Sequence, residues 1–169
     1  MTPTEIAARL AANAEVFRHL LADVSPEQAR WKPAPEKWSL LEVINHLADE
    51  ERDDFRTRLQ RTLHHPEQGW PPIDPERWAV DRQYNSRDLA VSLADFLEER
   101  TRSLAWLRGL SKPDFASAHH HKLGTITAGD LLSSWLAHDF IHIRQMTRLH
   151  YEYLASARGA STLRYAGPW

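Results

Sequence analysis

Two histidines four residues apart, His138 and His142, are the first residues in this chain whose type and spacing could do chemistry. On a helix, positions i and i+4 share a face, so both imidazoles can converge on one ion. Spacing alone is weak evidence, because ten histidines among 169 residues produce on the order of one such pair by chance. Placement strengthens it. Leu131, Trp135, His138, His142, Met146 and Leu149 recur at three- and four-residue steps, a stripe that a helix would turn towards the interior. Imidazoles buried in that stripe need partners, since an unpaired buried polar group costs about 1–3 kcal/mol. A metal ion and a hydrogen-bonded core pair both meet that need.

His46 is the natural third ligand, because it lies on another long helical pattern and near the middle of its length. Three neutral histidines with an open position are the signature of a catalytic metal site rather than a closed structural one. Glu50 follows His46 by one turn and has three readings: a fourth ligand, a general base, or one more member of the charged run DEERDDFRTRLQR. Asp139 points about 100° away from His138 and suits solvent or an inter-helix contact. Gln145, one turn past His142, is placed to orient that ligand from behind. The remaining histidines are weaker candidates. His64, His65, His119, His120 and His121 are expected in exposed loops, and His19 and His150 on helix surfaces. No GxGxxG, Walker loop, GxSxG or HExxH occurs.

Four long amphipathic segments must position these residues. The first opens at Thr2-Pro3 with Glu5, a capping box with proline at the first helical position, and runs to about Asp23. Ser25-Pro26-Glu27-Gln28 starts a short turn, and Pro33 and Pro35 then hold the chain extended. Ser39 and Glu42 open a second long helix to about Leu63, striped by Leu40, Val43, Ile44 and Leu47. Beyond Ala48 its charged sequence is expected to emerge into solvent or line a polar cavity. His64 to Arg87 reads as a long irregular connection in which Pro75 to Val80 can form one turn; Trp70 and Trp78 imply that it packs on the body and walls a substrate pocket. A third helix spans about Asp88 to Arg108, with Leu89, Leu93, Phe96, Arg100, Leu104 and Leu107 on one face. Ala118 to Ile126 is expected to be a connector. Thr127 and Asp130 then cap the fourth helix, which ends near Tyr153. The tail has too much Gly, Ala and Pro for a helix, with Tyr165 and Trp169 as anchors. The result is an all-α four-helix bundle with a long crossover loop, one domain over 1–169.

Composition narrows the function. No cysteine is present, so thiolate ligands and a cysteine nucleophile are excluded and any metal falls to His, Asp or Glu. A net charge of −2 without a basic cluster argues against nucleic acid. No apolar run approaches the length of about 18 residues that a membrane span needs, and the N-terminus lacks a secretory pattern, so a cytoplasmic protein acting on a small molecule is expected.

Taken together, RWKPAPEKWSLLEVINHLADEE and, about ninety residues later, GTITAGDLLSSWLAHDFIHIRQM resemble the DinB-like superfamily, nearest its YfiT-like branch of metal-dependent hydrolases. The pattern is Trp38, Ser39, His46-Leu47, His138, His142 and Gln145, and the likeness covers nearly the whole chain. It implies up-down-down-up wiring and a divalent ion, nickel, zinc or similar, held by His46, His138 and His142. Many members carry histidine directly before the last ligand; here that position is Ile141. The resemblance further implies a hydrolase or a transferase using a low-molecular-weight thiol as cosubstrate, and, from family habit, a homodimer. The competing implication is a non-catalytic metal-binding stress or interaction protein, in which the ion stabilises the bundle.

Overall fold

Capping chemistry sets the boundaries of most helices. In the computed structural model, which describes residues 1–122 and 124–167, α1 spans Pro3–Leu21 and opens on the Thr2/Glu5 capping box. α2 spans Pro26–Arg30, behind Ser25. α3 spans Leu40–Asp49 and opens on the Ser39/Glu42 box. It continues through a π-helical stretch, Glu50–Arg56, into α4, Thr57–His64. α5 is Pro75–Asp81, α6 is Leu89–Gly109 and α7 is Ala128–Arg158. α1 packs on α6 and α7, while α3 packs on α6 and more lightly on α7. The four rods of the bundle are therefore α1, the α3–π–α4 run, α6 and α7.

Four local expectations need correction. The second long helix is not a uniform α-helix, because its middle widens to π geometry. The Thr57 hydroxyl donates to the carbonyl of Arg52 at 2.7 Å, five residues back, whereas Thr62 and Thr101 make the usual four-residue bond to Arg58 and Leu97. The connector before α7 is instead a hairpin: β1, Ala118–His121, pairs antiparallel with β2, Gly124–Thr127. α7 runs five residues past Tyr153, to Arg158, where Gly159 at φ +81° ends it. The tail forms a 3-10 helix over Ala160–Ala166, in which the Thr162 hydroxyl donates to Gly159 at 2.8 Å. Tyr165 is fully exposed and anchors nothing. Trp169 lies outside the described residues.

The apolar core comes in two parts. One holds Phe17, Ile44, Leu47, Phe96, Met146 and Leu149. The other holds Ile6, Leu10, Phe55, Leu59, Leu132 and Trp135. Each of the four rods contributes to both, and each places polar residues between them: Asn13, Glu50 and Glu51, Arg100, and Asp139 with His142, all buried. The charged half of the second helix does not emerge into solvent; it turns Glu50, Glu51 and Asp54 inward.

Arg100 holds this polar layer together. Its Nε donates to Glu51 at 2.8 Å, both Nη atoms donate to Asp139 at 2.8 Å, and Nη1 also reaches the Leu10 carbonyl at 2.8 Å. Trp135 donates to the second Glu51 oxygen at 2.9 Å, and Asn13 to Asp139 at 3.1 Å. Every rod of the bundle joins this one network. Asp139 thus proves to be an inter-helix group.

The long connection is ordered at both ends, as its tryptophans imply. Trp70 donates to Thr62 at 3.1 Å and lies under the Arg58 guanidinium. At the other end the Tyr84 hydroxyl donates to Asp49, Arg87 donates to Asn45 at 2.8 Å, and Ser39 donates to Asn85 at 2.7 Å. Gln83 supports the turn in the left-handed region at φ +51°.

Candidate metal centre

α3 and α7 carry His46, His138 and His142 to one point at the edge of the polar layer. Nε2 of His138 lies 3.3 Å from Nε2 of His46 and 3.1 Å from Nε2 of His142. His46 and His142 are buried and His138 is partly so. Among the described residues, these three are the set whose ligand atoms converge, all within 4.8 Å of one another. One wall is aromatic: the Trp38 ring sits 4.7 Å from that of His46, and the Phe55 ring 5.1 Å from that of His138.

The donor set suits a cation. The amide oxygen of Gln145 lies 2.7 Å from Nδ1 of His142, so the proton belongs on Nδ1 and the Nε2 lone pair faces the shared point. A single proton on Nε2 of His138 can bridge to one neighbouring nitrogen, not to both. Burial, with the neighbouring His142, pushes His46 down to about 3. Burial, followed by His142, His46 and Arg100, pushes His138 down to about 2. His142 is also lowered by burial, against the pull of Gln145 and Asp139. At neutral pH all three are in the form that ligates a metal.

Glu50 does not join the converging set. Its Oε1 lies 3.9 Å from Nδ1 of His46, and both atoms are buried without a hydrogen-bond partner. Glu50 as a residue is 4 % exposed, so it is not part of a solvated face. Burial, reinforced by a hydrogen bond to Asp54, pushes it up to about 9. That shift has a sign. Between the ordinary value of 4.5 and about 9, the folded state keeps a proton that the unfolded chain releases, so stability falls as pH rises through this window. Glu50→Gln removes that slope. The metal-free variant should gain stability at pH 7, by up to about 3 kcal/mol, with the gain disappearing near pH 4. Urea unfolding at the two pH values checks it, and an equal effect at both would reject the buried, protonated carboxyl.

A cleft of about 370 Å³ lies behind Trp38 and Gln145, the two residues that connect it to His46 and His142; none of the three histidines lines it. Trp38, Leu149, Pro33 and Ala34 give it apolar walls, and Gln145, which also contacts His142, lines it. The expected walls, Trp70 and Trp78, are elsewhere. Trp70 stacks on His119 at 4.5 Å and Trp78 lies under Arg82 at 4.3 Å. The outlying histidines also depart from expectation. His119 and His121 are partly buried against Trp70 on one face of β1, leaving His120 exposed and 3.1 Å from Thr125. His150 is no plain surface residue, since it contacts Gln28 at 2.9 Å and the Leu20 carbonyl at 2.7 Å.

A family model described as the DinB superfamily matches residues 9–146. The chain belongs to that superfamily. A relative from Oceanobacillus iheyensis, provisionally named as a metal-dependent hydrolase, is 28% identical over 137 residues, covering 79% of this chain and 77% of the relative. The solved structure of YfiT from Bacillus subtilis, described as a probable metal-dependent hydrolase with an unusual four-helix bundle topology, aligns with a TM-score of 0.75 at 23% identity and covers 90% of each chain. That likeness carries the fold. As in the DinB superfamily pattern read from the sequence, the helix after Trp38-Ser39 and the later His-x3-His helix are the two that meet.

Proposed function

We propose that this DinB superfamily protein is a divalent-metal-dependent enzyme acting on a small molecule. One observation carries the reading: three buried or half-buried histidines bring their Nε2 atoms together at 3.1 and 3.3 Å. His46, His138 and His142 would hold the ion, nickel, zinc or similar. When bound, the ion supplies positive charge that lowers the pKa of a water or a low-molecular-weight thiol, the chemistry of a hydrolase or a thiol transferase. The hydrolase name of the relative points to the first of these.

The chain's own groups have separable tasks. Gln145 fixes the tautomer of His142. Glu50 stands behind His46, where a modest shift lets its carboxyl accept the Nδ1 proton, the outer contact that ligating histidines usually make. Trp38 and Phe55 cover the imidazoles and limit their hydration. Three protein ligands leave a coordination position open, as catalytic sites do and closed structural sites do not, and this favours catalysis.

The test is metal analysis of the native protein followed by a turnover screen with ester and amide substrates and with electrophiles plus cellular thiols. Metal present at about one per chain, with turnover lost on chelation and restored by the ion, is the expected result. A stoichiometric metal with no turnover in any class would favour the stabilising role.

A further inference from the structure

The cleft behind Trp38 and Gln145 has a rim that metal binding does not use. Lys37 and Arg148 stand on it. Among the described residues Lys37 makes no ion pair with an acidic group, and it is exposed. Arg148 donates Nε to Glu152 at 2.7 Å, one helical turn on. That contact steadies the guanidinium and leaves its other N–H groups to face a ligand. Gln145 adds a third donor. Its amide oxygen is taken by His142, so its NH2 group is what it has left to offer. Glu152 is the cleft's acidic member, and it is already paired.

A cleft with three sets of donors, a surplus positive charge and an apolar floor of Trp38 and Leu149 selects a particular ligand chemistry. We propose that it binds small organic anions. The carboxylate, phosphate or sulfonate would lie on Lys37 and Arg148, and the apolar body over Trp38 and Leu149 with Gln145 beside it. This assigns a substrate class to the site proposed above and rests on that reading for its catalytic meaning, though not for the binding itself. Two cations converging on one oxyanion give charge-assisted hydrogen bonds, which are stronger than neutral ones and favour the charged ligand.

Isothermal titration calorimetry with a matched pair of probes, 1-naphthoate and its neutral amide, tests the proposal on the metal-loaded protein at low ionic strength. The naphthoate should bind about tenfold tighter or better. The double substitution Lys37→Glu/Arg148→Glu, at exposed positions, should abolish the preference and leave metal content and helicity unchanged. Trp38→Ala should weaken both probes alike. Wild-type protein stripped with a chelator should keep the preference, because the side chains rather than the ion read the charge. Equal binding of the two probes, or binding of neither, would overturn the proposal. So would a preference that survives the double substitution, or one that vanishes on stripping, which would place the anion on the metal. Absence of metal from native protein would instead defeat the metal reading and leave this measurement standing.

Discussion

Replacing His142 with alanine should empty the metal site. Two imidazoles on separate helices would remain, His46 on α3 and His138 on α7, and such a pair seldom holds a divalent ion against buffer. Metal content by plasma emission should drop at least about tenfold, since even the loss of a supporting outer contact costs 10–100-fold in affinity. His120→Ala is the control, because that side chain is exposed on the hairpin and reaches only Thr125 at 3.1 Å. Wild-type stoichiometry in His142→Ala together with loss in His120→Ala would move the site to the hairpin.

The same imidazoles set an acid limit. Above the ordinary value of 6.5 the folded and unfolded forms are both neutral, and His46 and His138 affect nothing. Below it, the unfolded chain takes up protons that the folded protein refuses until about 3 and about 2. The metal-free protein should therefore lose stability as pH falls, by about 1.4 kcal/mol per pH unit for each refused proton. Metal release should coincide with unfolding, not with an ordinary histidine titration near pH 6.5. Circular dichroism and metal release followed together through the acid range would separate the two.

The largest stability effect is expected at Arg100. Arg100→Leu leaves Glu51 and Asp139 buried side by side without a cation. Breaking one partner out of a buried pair costs about 3–5 kcal/mol, a large part of a domain's total stability. Restoring neutrality should recover much of it, so Arg100→Leu/Glu51→Gln/Asp139→Asn should unfold at a higher urea concentration than Arg100→Leu alone. Arg102 is itself exposed and pairs with exposed Glu98 and with Glu99, which keeps Arg56 when Arg102 is lost, so alanine there should change stability by under about 1 kcal/mol. Similar midpoints for Arg100→Leu and Arg102→Ala would show that the buried network does not hold the bundle.

The parts legible in the sequence were those decided locally. The boxes Thr2/Glu5, Ser39/Glu42 and Thr127/Asp130 are four-residue signals, and each stands at the helix start it announces. The histidine triad was legible because its spacing puts one pair on one face and the third on another rod. Arg100 carried a signal that went unread: an arginine within an apolar stripe implies buried carboxylates opposite. The hairpin was hidden because AHHHKLGTIT has no clear strand pattern, and its shape depends on Trp70, about fifty residues away, receiving His119 and His121. The widened turn was hidden by charge. Leu47, Glu51, Phe55 and Leu59 are all buried at steps of four, but two of the positions around it, Glu50 and Glu51, look like solvent residues until their partners are known.

Three turns of an α-helix take about 11 residues, yet Leu47 to Leu59 takes twelve steps to return to the same face. The stretch Glu50–Arg56 absorbs the surplus, so the second rod is two helices differing in phase. Counting therefore matters more here than composition. A gene that lost one codon within Glu50–Arg56 would leave eleven steps, which a plain α-helix spans in phase, but one that lost a second would swing one half by about 100° against the other. Either His46 would leave the point it shares with His138, or Phe55 and Leu59 would leave the core. The loop from 65 to 74 carries no such phase to keep.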